Sequence, residues 1–254
     1  FTGSVATGRL VQAAAAYNIV PVTLELGGKS PQLFFEDANL ENALPFLVNA
    51  GIQNGGQTCS ASSRILVHRS RYDEVIDRMS QKYQELIVRP AIDDGALGPL
   101  ISERQKSIVE DFISKGQNLN LVAQGEIDGN VPENGHYVAP HLFADVSDDH
   151  ILAKDEIFGP VQVIMPFDTE EEAIQIANGT DYGLVASIWT NDGARQMRLA
   201  KKLKSGQVFI NNYGAGGGVE LPFGGRGFSG HGREKGFEAL FGFSTLKTVA
   251  SYHQ

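Results

Sequence analysis

The sequence has one cysteine, Cys59, among its 254 residues, and it is poor in clustered basic side chains. A single cysteine excludes an internal disulfide and any cluster of thiolate metal ligands, which fits a reducing compartment, so we expect a cytoplasmic protein. The formal net charge is -9, and the densest basic group is Lys201, Lys202 and Lys204. Binding to a phosphate backbone requires a larger positive surface, so nucleic acid is not an expected partner.

Long apolar runs and clustered histidines are also missing. The longest apolar runs, such as residues 161–167, are interrupted by Gln or Pro and fall far short of the roughly 20 residues that cross a bilayer. No membrane segment is therefore expected. The six His residues are scattered without the spacing of metal ligands, so we expect no metal site.

The first residues, Phe1-Thr2-Gly3-Ser4, contain no initiator Met and no basic-then-apolar signal. Phe1 and Thr2 have the character of the end of a strand that runs into a small-residue turn and a helix. We therefore expect that the given sequence begins inside a longer protein.

Helix and strand patterns alternate along most of the sequence. Apolar spacing predicts helices over residues 8–17, 40–53, 71–88, 102–115, 170–178 and 194–203, the second of them capped by Asp37 or Asn39. It predicts strands over residues 20–26, 32–35, 64–68, 119–123, 161–167, 185–189 and 207–210. This alternation favours an α/β fold in which a mainly parallel sheet is covered by helices on both faces.

Two segments break the alternation. Residues 213–232 are too rich in glycine for a regular element and predict a functional or flexible loop, with its barest part at residues 214–218. Residues 246–252 alternate and favour a β-strand at the carboxyl end. Because a free strand exposes an unpaired edge, we expect a partner strand there.

The cysteine lies in a segment that suits a nucleophile. Gly55 and Gly56 precede it, so the backbone can approach a ligand closely there. The alternative interpretation is a buried structural cysteine, which behaves as a small apolar residue. The polar neighbours Gln57, Thr58 and Ser60 favour a reactive site, because a core cysteine usually has apolar neighbours.

A reactive cysteine needs a base or a positive field, because a thiol with a pKa of about 8.5 is mostly protonated at neutral pH. No histidine precedes Cys59 in the sequence, and His68 lies on a predicted strand. Glu25 is the better candidate, since apolar residues surround it in Leu24-Glu25-Leu26-Gly27-Gly28-Lys29 and burial raises the pKa of a carboxyl. The alternative is a glutamate on the wet face of an edge strand.

Two further segments suit ligand contacts. Phe1-Thr2-Gly3-Ser4 precedes a predicted helix, whose free N–H groups and dipole attract a phosphate. Asp155-Glu156-Ile157-Phe158-Gly159-Pro160 places a carboxylate and an aromatic ring two residues apart at a turn, which suits a hydroxylated ring. An ordinary helix start and an ordinary turn are the alternatives.

Taken in order, five motifs resemble the aldehyde dehydrogenase superfamily. They are Phe1-Thr2-Gly3-Ser4, Leu24-Glu25-Leu26-Gly27-Gly28-Lys29-Ser30-Pro31, Gly56-Gln57-Thr58-Cys59 with Arg64, Glu156-Ile157-Phe158-Gly159-Pro160, and Pro222-Phe223-Gly224-Gly225 with Ser229-Gly230 and Gly232-Arg233-Glu234. Members of that family are about twice as long. The resemblance therefore implies the carboxyl-terminal half of such an enzyme.

The resemblance implies oxidation of an aldehyde to a carboxylic acid with NAD or NADP. Cys59 would attack the carbonyl to give a thiohemiacetal, and Glu25 would activate the water that hydrolyses the later thioester. The Cys59 backbone N–H would be one oxyanion donor. The second donor and the residue that selects NAD or NADP are expected upstream of Phe1.

The resemblance also implies roles for nine other residues. Gly3 and Ser4 would contact the cofactor pyrophosphate, Leu26 the nicotinamide, and Glu156, Phe158 and Gln105 the nicotinamide ribose. Thr58 and Ser60 would flank the substrate, and Phe223 would form an aromatic wall of the aldehyde tunnel, unless it is only core packing.

By the same resemblance, residues 1–26 close a cofactor domain, residues 27–243 form the catalytic domain, and residues 244–254 supply a strand to a neighbouring subunit. A homodimer or homotetramer is therefore expected. Two alternatives remain open. One is an inactive half-enzyme fragment, and the other is a cofactor-independent cysteine thioesterase or esterase.

Overall fold

Helices and strands alternate along most of the computed structural model, which describes residues 1–214 and 218–253. The described helices, named α1 to α8, are Val5–Tyr17, Leu40–Ile52, Tyr72–Gln84, Glu103–Lys115, Ile151–Lys154, Glu170–Ala177, Gly193–Lys202 and Ala239–Gly242. The described strands, named β1 to β11, are Leu24–Glu25, Pro31–Phe34, Arg64–His68, Ile87–Val88, Asn120–Gln124, Glu126–Ile127, His141–Ala144, Val161–Phe167, Val185–Trp189, Gln207–Ile210 and Gly230–His231. The barest glycine segment, predicted over residues 214–218, lies mostly outside the described residues.

Seven strands form the central sheet, in the order β10-β9-β2-β3-β8-β7-β5. Every neighbouring pair in it is parallel except β5 with β7. Two small sheets join β1 to β11 and β4 to β6. The predicted α/β fold with a mainly parallel sheet is confirmed.

Helices cover both faces of this sheet, and adjacent strand residues point to opposite faces. Leu33 packs in a cluster with side chains from α4, α5, α6 and α7. Its neighbour Phe34 packs in a second cluster with side chains from α2 and α3. Burial on both faces explains why the central strands are nearly continuous apolar runs in the sequence.

Side-chain caps fix the starts of several helices. Asn39, one of the two predicted candidates, caps α2 by accepting from the Asn42 N–H at 3.0 Å. The first helix begins at Val5, three residues before its predicted start, because the Ser4 hydroxyl accepts from the Thr7 N–H at 3.2 Å. Such caps satisfy N–H groups that have no partner inside the helix.

Several element boundaries differ from prediction. The strand predicted over residues 20–26 is reduced to Leu24–Glu25, since Pro21 offers no N–H to a strand partner. The helix predicted over residues 71–88 ends at Gln84, and Ile87–Val88 pairs with Glu126–Ile127 instead. The strand His141–Ala144 was not predicted, because its four residues carry too little alternation.

The strand expected over residues 246–252, with its partner in a neighbouring subunit, stays a prediction. These residues form no regular element, and the side chains of Leu246, Val249 and Tyr252 are all more than 80% exposed. No described strand lies beside them to pair with their backbone, and an unpaired strand is unstable in water.

The described helices are short. The longest have 13 residues, against the roughly 20 that an apolar helix needs to cross a bilayer. Within residues 1–214 and 218–253, no helix is long and apolar enough to do so.

Arg64, at the start of β3, ties together three segments near the amino ends of the parallel strands. It is 2% exposed, and its guanidinium donates to the carbonyl oxygens of Lys29 at 2.9 Å, Ile176 at 2.8 Å and Ala177 at 2.8 Å. Lys29 precedes β2, and the other two residues end α6. One side chain therefore holds the starts of β2 and β3 against the end of α6.

We expect Arg64→Lys to lower the free energy of unfolding by about 3 kcal/mol, because one ammonium group leaves buried carbonyl oxygens without donors. Urea denaturation followed by Trp189 fluorescence measures the change. Arg104→Lys, at an exposed position on α4, is the matched control and should change stability by less than about 0.5 kcal/mol. Equal unfolding midpoints for Arg64→Lys and the unsubstituted chain would contradict the expectation.

Candidate active site

The predicted reactive residues meet at the amino-terminal edge of the parallel sheet. The loops before β2, β3 and β8 converge there with the glycine-rich segment that follows β10, and they enclose a cavity of about 730 Å³. Ten of the eleven predicted site residues line it, namely Gly3, Ser4, Glu25, Thr58, Cys59, Ser60, Gln105, Glu156, Phe158 and Phe223.

Leu26 is the predicted site residue that does not line the cavity. It is 5% exposed, and its side chain packs under α1, where a Cβ on Gly8 would lie 2.7 Å from it. Its assignment to the nicotinamide therefore stays a prediction.

Five lining residues were not predicted as site residues. They are Thr2, Gly27, Gln57, Glu234 and Lys235. Four of them lie inside motifs that the sequence already singled out, which was an available signal. Lys235 lies one residue beyond the Gly232-Arg233-Glu234 motif, and its position beside Phe223 depends on loop closure that local sequence does not reveal.

A tight turn after α2 delivers Cys59 to the cavity. Asn54, Gly55 and Gly56 all have positive φ, at 53°, 65° and 74°. A side chain at Gly56 would overlap the carbonyl group of Gly159. Glycine is therefore required where the cysteine loop meets the loop that carries Glu156.

The cysteine loop is held from several sides. The Ser62 N–H donates to the Ala50 carbonyl at 2.9 Å, and the Tyr213 hydroxyl donates to the Ser60 carbonyl. The Gln57 side chain accepts from the Ile101 N–H at 2.9 Å. These contacts fix the backbone on both sides of Cys59, which is partly exposed to the cavity.

Glu25 lies on β1 between the first residues of the chain and β11. Its backbone N–H donates to the Phe1 carbonyl at 2.9 Å, and its carbonyl accepts from the Gly3 N–H at 3.0 Å. The residue is 2% exposed, and neither carboxylate oxygen has a hydrogen-bond partner in the described structure. Gly224 leaves room for this carboxylate, since a Cβ there would lie 2.6 Å from Oε1.

This burial raises the pKa of Glu25 to about 7, and repulsion by Glu234 adds to the effect. Arg233 acts in the opposite direction. The carboxyl group therefore exchanges its proton near neutral pH, as general acid–base chemistry requires.

Glu156 is a second carboxyl group in the cavity. Its Oε1 accepts from the Gly28 N–H at 3.0 Å. Burial raises the pKa of Glu156 to about 7, against the opposing effects of that hydrogen bond and of Lys29. The hydrogen bond fixes Glu156 to the loop that follows Glu25.

Lys29 lies behind Glu156 and is 1% exposed. Its Nζ has no hydrogen-bond partner in the described structure. Burial lowers the pKa of Lys29 to about 7, repulsion by Arg64 adds to this, and Glu156 and Asp155 oppose it. Its positive charge in turn lowers the pKa of Glu156.

The pKa of Cys59 is raised, first by burial and then by the negative charges of Glu156 and Glu25. The backbone N–H groups of Ser60 and Cys59 lower it in part. Among the described residues, the charged side chains that shift the pKa of Cys59 are both negative, so they disfavour a resting thiolate. What the chain supplies is a base, since Glu25 lines the same cavity and titrates near neutral pH.

The amino end of α1 opens onto the other part of the cavity. Ser4 lines the cavity and caps the helix, so the N–H groups of the first turn face this end. The Gly3 N–H already donates to the Glu25 carbonyl at 3.0 Å. A phosphate here would therefore meet the N–H groups at the start of α1 rather than that of Gly3.

Gln105 and Phe158 form one contact. The Gln105 side chain donates to the carbonyl oxygens of Ile157 at 3.2 Å and Phe158 at 3.0 Å. Phe158 has a φ of 56° and a ring that is 37% exposed. Gln105 thus holds the backbone that presents Glu156 and Phe158 to the cavity.

Comparison with known proteins identifies relatives along almost the whole chain. The sequence profile of the Aldehyde dehydrogenase family matches residues 1–249. Betaine aldehyde dehydrogenase of Rhizobium johnstonii is 41% identical over 251 residues, which cover 98% of this chain and 51% of that protein. The chain spans about half the length of the curated relatives that it matches.

Solved structures show the same fold. A crystal structure from Burkholderia cenocepacia matches with a TM-score of 0.96 and 59% identity, covering 98% of this chain and 53% of that chain. The NAD+ complex of an aldehyde dehydrogenase from Bacillus cereus matches at 0.89 and 42%, covering 94% and 49%. The NAD+ complex of a Mycobacterium tuberculosis aldehyde dehydrogenase matches at 0.88 and 44%, covering 96% and 50%.

We expect the change in the free energy of unfolding caused by Glu25→Gln to be more favourable at pH 8 than at pH 4. The pKa of Glu25 rises from an ordinary value of 4.5 to about 7 on folding, so the unfolded state releases its proton first and stability falls as pH rises through that window. Glutamine removes this loss, which is a relative gain of about 3 kcal/mol. Urea denaturation at both pH values measures it, with the exposed Glu133→Gln as control. A gain that does not depend on pH would contradict the burial argument.

We expect Glu156→Gln to lower the pKa of Cys59, because the Glu156 charge raises it. The rate of Cys59 alkylation by iodoacetamide, followed by intact mass between pH 6 and 10, reports the thiolate fraction. The variant should react faster than the unsubstituted chain above pH 7, where Glu156 is ionised. Glu110→Gln, on the exposed part of α4, is the control, and superimposable profiles for all three proteins would refute the electrostatic link.

Proposed function

The chain belongs to the aldehyde dehydrogenase family, and we propose that its protein oxidises an aldehyde to a carboxylic acid with NAD(P)+, using Cys59 as nucleophile and Glu25 as general base. The observation that carries the proposal is that the one cysteine of the sequence and a buried carboxyl group with a pKa near 7 line the same cavity. A nucleophile and a base that share one cavity are the requirement for forming and hydrolysing an acyl-enzyme.

The residues of this chain account for both ends of the reaction. The Cys59 sulfur, after losing its proton, adds to the aldehyde carbon and forms a thiohemiacetal. The Cys59 backbone N–H, next to the new bond, is the proposed donor to the oxygen that becomes negative. At the thioester stage, Glu25 accepts a proton from water and hydroxide attacks the acyl carbon. The carbon–sulfur bond breaks to release the acid and the Cys59 thiolate, which takes up the proton held by Glu25.

The residues present fit a dinucleotide cofactor. The helix start at Ser4 suits a pyrophosphate, and the Glu156 carboxylate suits ribose hydroxyls, with Phe158 beside it. The chemistry that NAD(P)+ supplies when bound is acceptance of hydride from the aldehyde carbon. Gln105 fixes the backbone of Phe158 and so orients this part of the cavity.

We extend the proposal to the arrangement of domains. Residues 1–26 would close the cofactor domain, residues 27–243 would form the catalytic domain, and residues 244–254 would join a neighbouring subunit in a homodimer or homotetramer. Two exposed apolar surfaces support this. One, near α1, includes Leu10, 71% exposed, and Ile19, 92% exposed, and the other includes Phe243, 94% exposed.

A second candidate is cofactor-independent hydrolysis of esters or thioesters. It is favoured by one observation, that Cys59 and Glu25 both belong to this chain and share its cavity. Such hydrolysis needs a nucleophile, a base and water, and it needs no hydride acceptor.

The test measures NAD(P)H formation at 340 nm with a panel of short aliphatic and aromatic aldehydes, together with the intact mass of the protein. Turnover should be lost in Cys59→Ala. Glu25→Gln should slow thioester hydrolysis by about 100-fold or more and so accumulate an acyl adduct on Cys59 that mass spectrometry detects. Glu133→Gln is the exposed control and should behave as the unsubstituted protein does.

The outcomes separate the candidates. Aldehyde-dependent NAD(P)H formation that needs Cys59 supports the dehydrogenase. Hydrolysis of p-nitrophenyl acetate that needs Cys59 and Glu25, without NAD(P)H formation from any aldehyde, supports the cofactor-independent hydrolase. Full aldehyde turnover by Cys59→Ala would overturn both.

A further inference from the structure

Lys235 stands at the aromatic wall of the cavity. It lines the cavity together with Cys59 and Phe223, and its Nζ lies 5.6 Å from the centroid of the Phe223 ring. This distance is within the range of a cation–π contact. The ammonium group therefore lies over the face of the Phe223 ring that a ligand could otherwise contact.

The backbone fixes this placement. Phe223 and Glu234 form an antiparallel bridge in which each N–H donates to the other's carbonyl at 2.7 Å. Lys235 follows directly, with a φ of 59°, in the left-handed region that side chains other than glycine rarely adopt. A lysine held in such a conformation beside a ligand cavity is a reason to look for a function of its side chain.

The charge of Lys235 is distinctive within the cavity. Among the described residues that line it, the other ionisable groups are the Cys59 thiol and the carboxyls of Glu25, Glu156 and Glu234, and Lys235 is the one basic side chain. Glu25 and Glu156 both act on the pKa of Cys59, so their charges are felt at the reacting sulfur. The Lys235 charge is instead placed at the Phe223 wall.

We propose that Lys235 is a specificity-determining residue, and that the preferred aldehyde carries an anionic group, such as a carboxylate, at the end remote from its carbonyl. The inference deepens the proposed function and rests on it. A remote anion would meet the Lys235 ammonium while the carbonyl meets Cys59. A quaternary ammonium is disfavoured there, because it would compete with a like charge for the Phe223 ring face.

Charged thiol reagents test this without cofactor or hydride transfer. In each reaction the Cys59 thiolate attacks the sulfenyl sulfur of a methanethiosulfonate, a disulfide forms, and methanesulfinate leaves with the electron pair of the broken S–S bond. The probes are the anionic 2-sulfonatoethyl, the cationic 2-(trimethylammonio)ethyl and the neutral methyl methanethiosulfonate. Rates are followed by intact mass on the single cysteine of the chain.

The measured quantity is the ratio of the anionic to the cationic rate constant. Both rates depend equally on the thiolate fraction, so the ratio reports the field along the tail of the probe. Lys235→Gln should lower the ratio by about fivefold or more, from loss of one charge several ångströms from the tail. Lys201→Gln, which removes the same charge from an exposed position on α7, should leave the ratio unchanged.

A second variant excludes misfolding as the cause. Lys235→Gly suits the left-handed backbone, and it should lower the ratio as Lys235→Gln does while the neutral reagent still reacts normally. A ratio that is the same in both Lys235 variants and the unsubstituted chain, with normal neutral rates, would overturn the specificity inference and leave the proposed function standing. If even the neutral reagent failed to modify Cys59 in the unsubstituted chain, the proposed function and this inference would both fall.

Discussion

The buried guanidinium of Arg64 is the contact on which the geometry of the cavity depends. It joins the start of β3 to the segment before β2 and to the end of α6, through three carbonyl oxygens. The loop that carries Cys59 enters β3, and the loop that follows Glu25 enters β2. Because a planar group with several fixed donors satisfies all three carbonyls at once, the two loops keep one relative position. The positions of the proposed nucleophile and its proposed base are therefore set by the same interaction that holds the sheet against its helix.

Several electrostatically unfavourable groups lie close together around the cavity. Glu25 has two buried oxygens without hydrogen-bond partners, Lys29 has a buried ammonium without one, and the Cys59 thiol lies close enough to two carboxyl groups to have its pKa raised. None of this stabilises the fold. Each feature brings a pKa toward neutrality or keeps a thiol protonated until a base removes its proton, which is the usual compromise between stability and chemistry at reactive sites. The apolar clusters on the two faces of the sheet supply the stability that the site does not.

The strands predicted most accurately from the sequence are those whose pattern is set by burial alone. Residues 64–68, 161–167 and 185–189 match the observed strands, because burial on both sheet faces leaves continuous apolar runs. A short strand was missed, since His141–Ala144 depends on neighbours that a local pattern does not contain. The local sequence offered Glu25 as a candidate base for Cys59, but it could not show that the two residues meet, because their meeting requires the turn at Gly56. A parallel sheet by itself would also predict the site at the wrong edge. Ligands of open parallel sheets usually bind at the carboxyl ends of the strands, whereas this cavity lies at their amino ends.

The position of Glu25 on β1 has a consequence for protein synthesis. Its carboxylate is enclosed by Gly224 and by the strand Gly230–His231, which lie about two hundred positions later in the chain. A ribosome therefore makes this residue long before it makes the walls around it. Until those segments emerge, water solvates the carboxyl group and its acidity is that of any exposed glutamate. The proposed base acquires its altered proton affinity only after these segments have been made, so truncation shortly before residue 230 would preserve Cys59 and lose the tuning of Glu25.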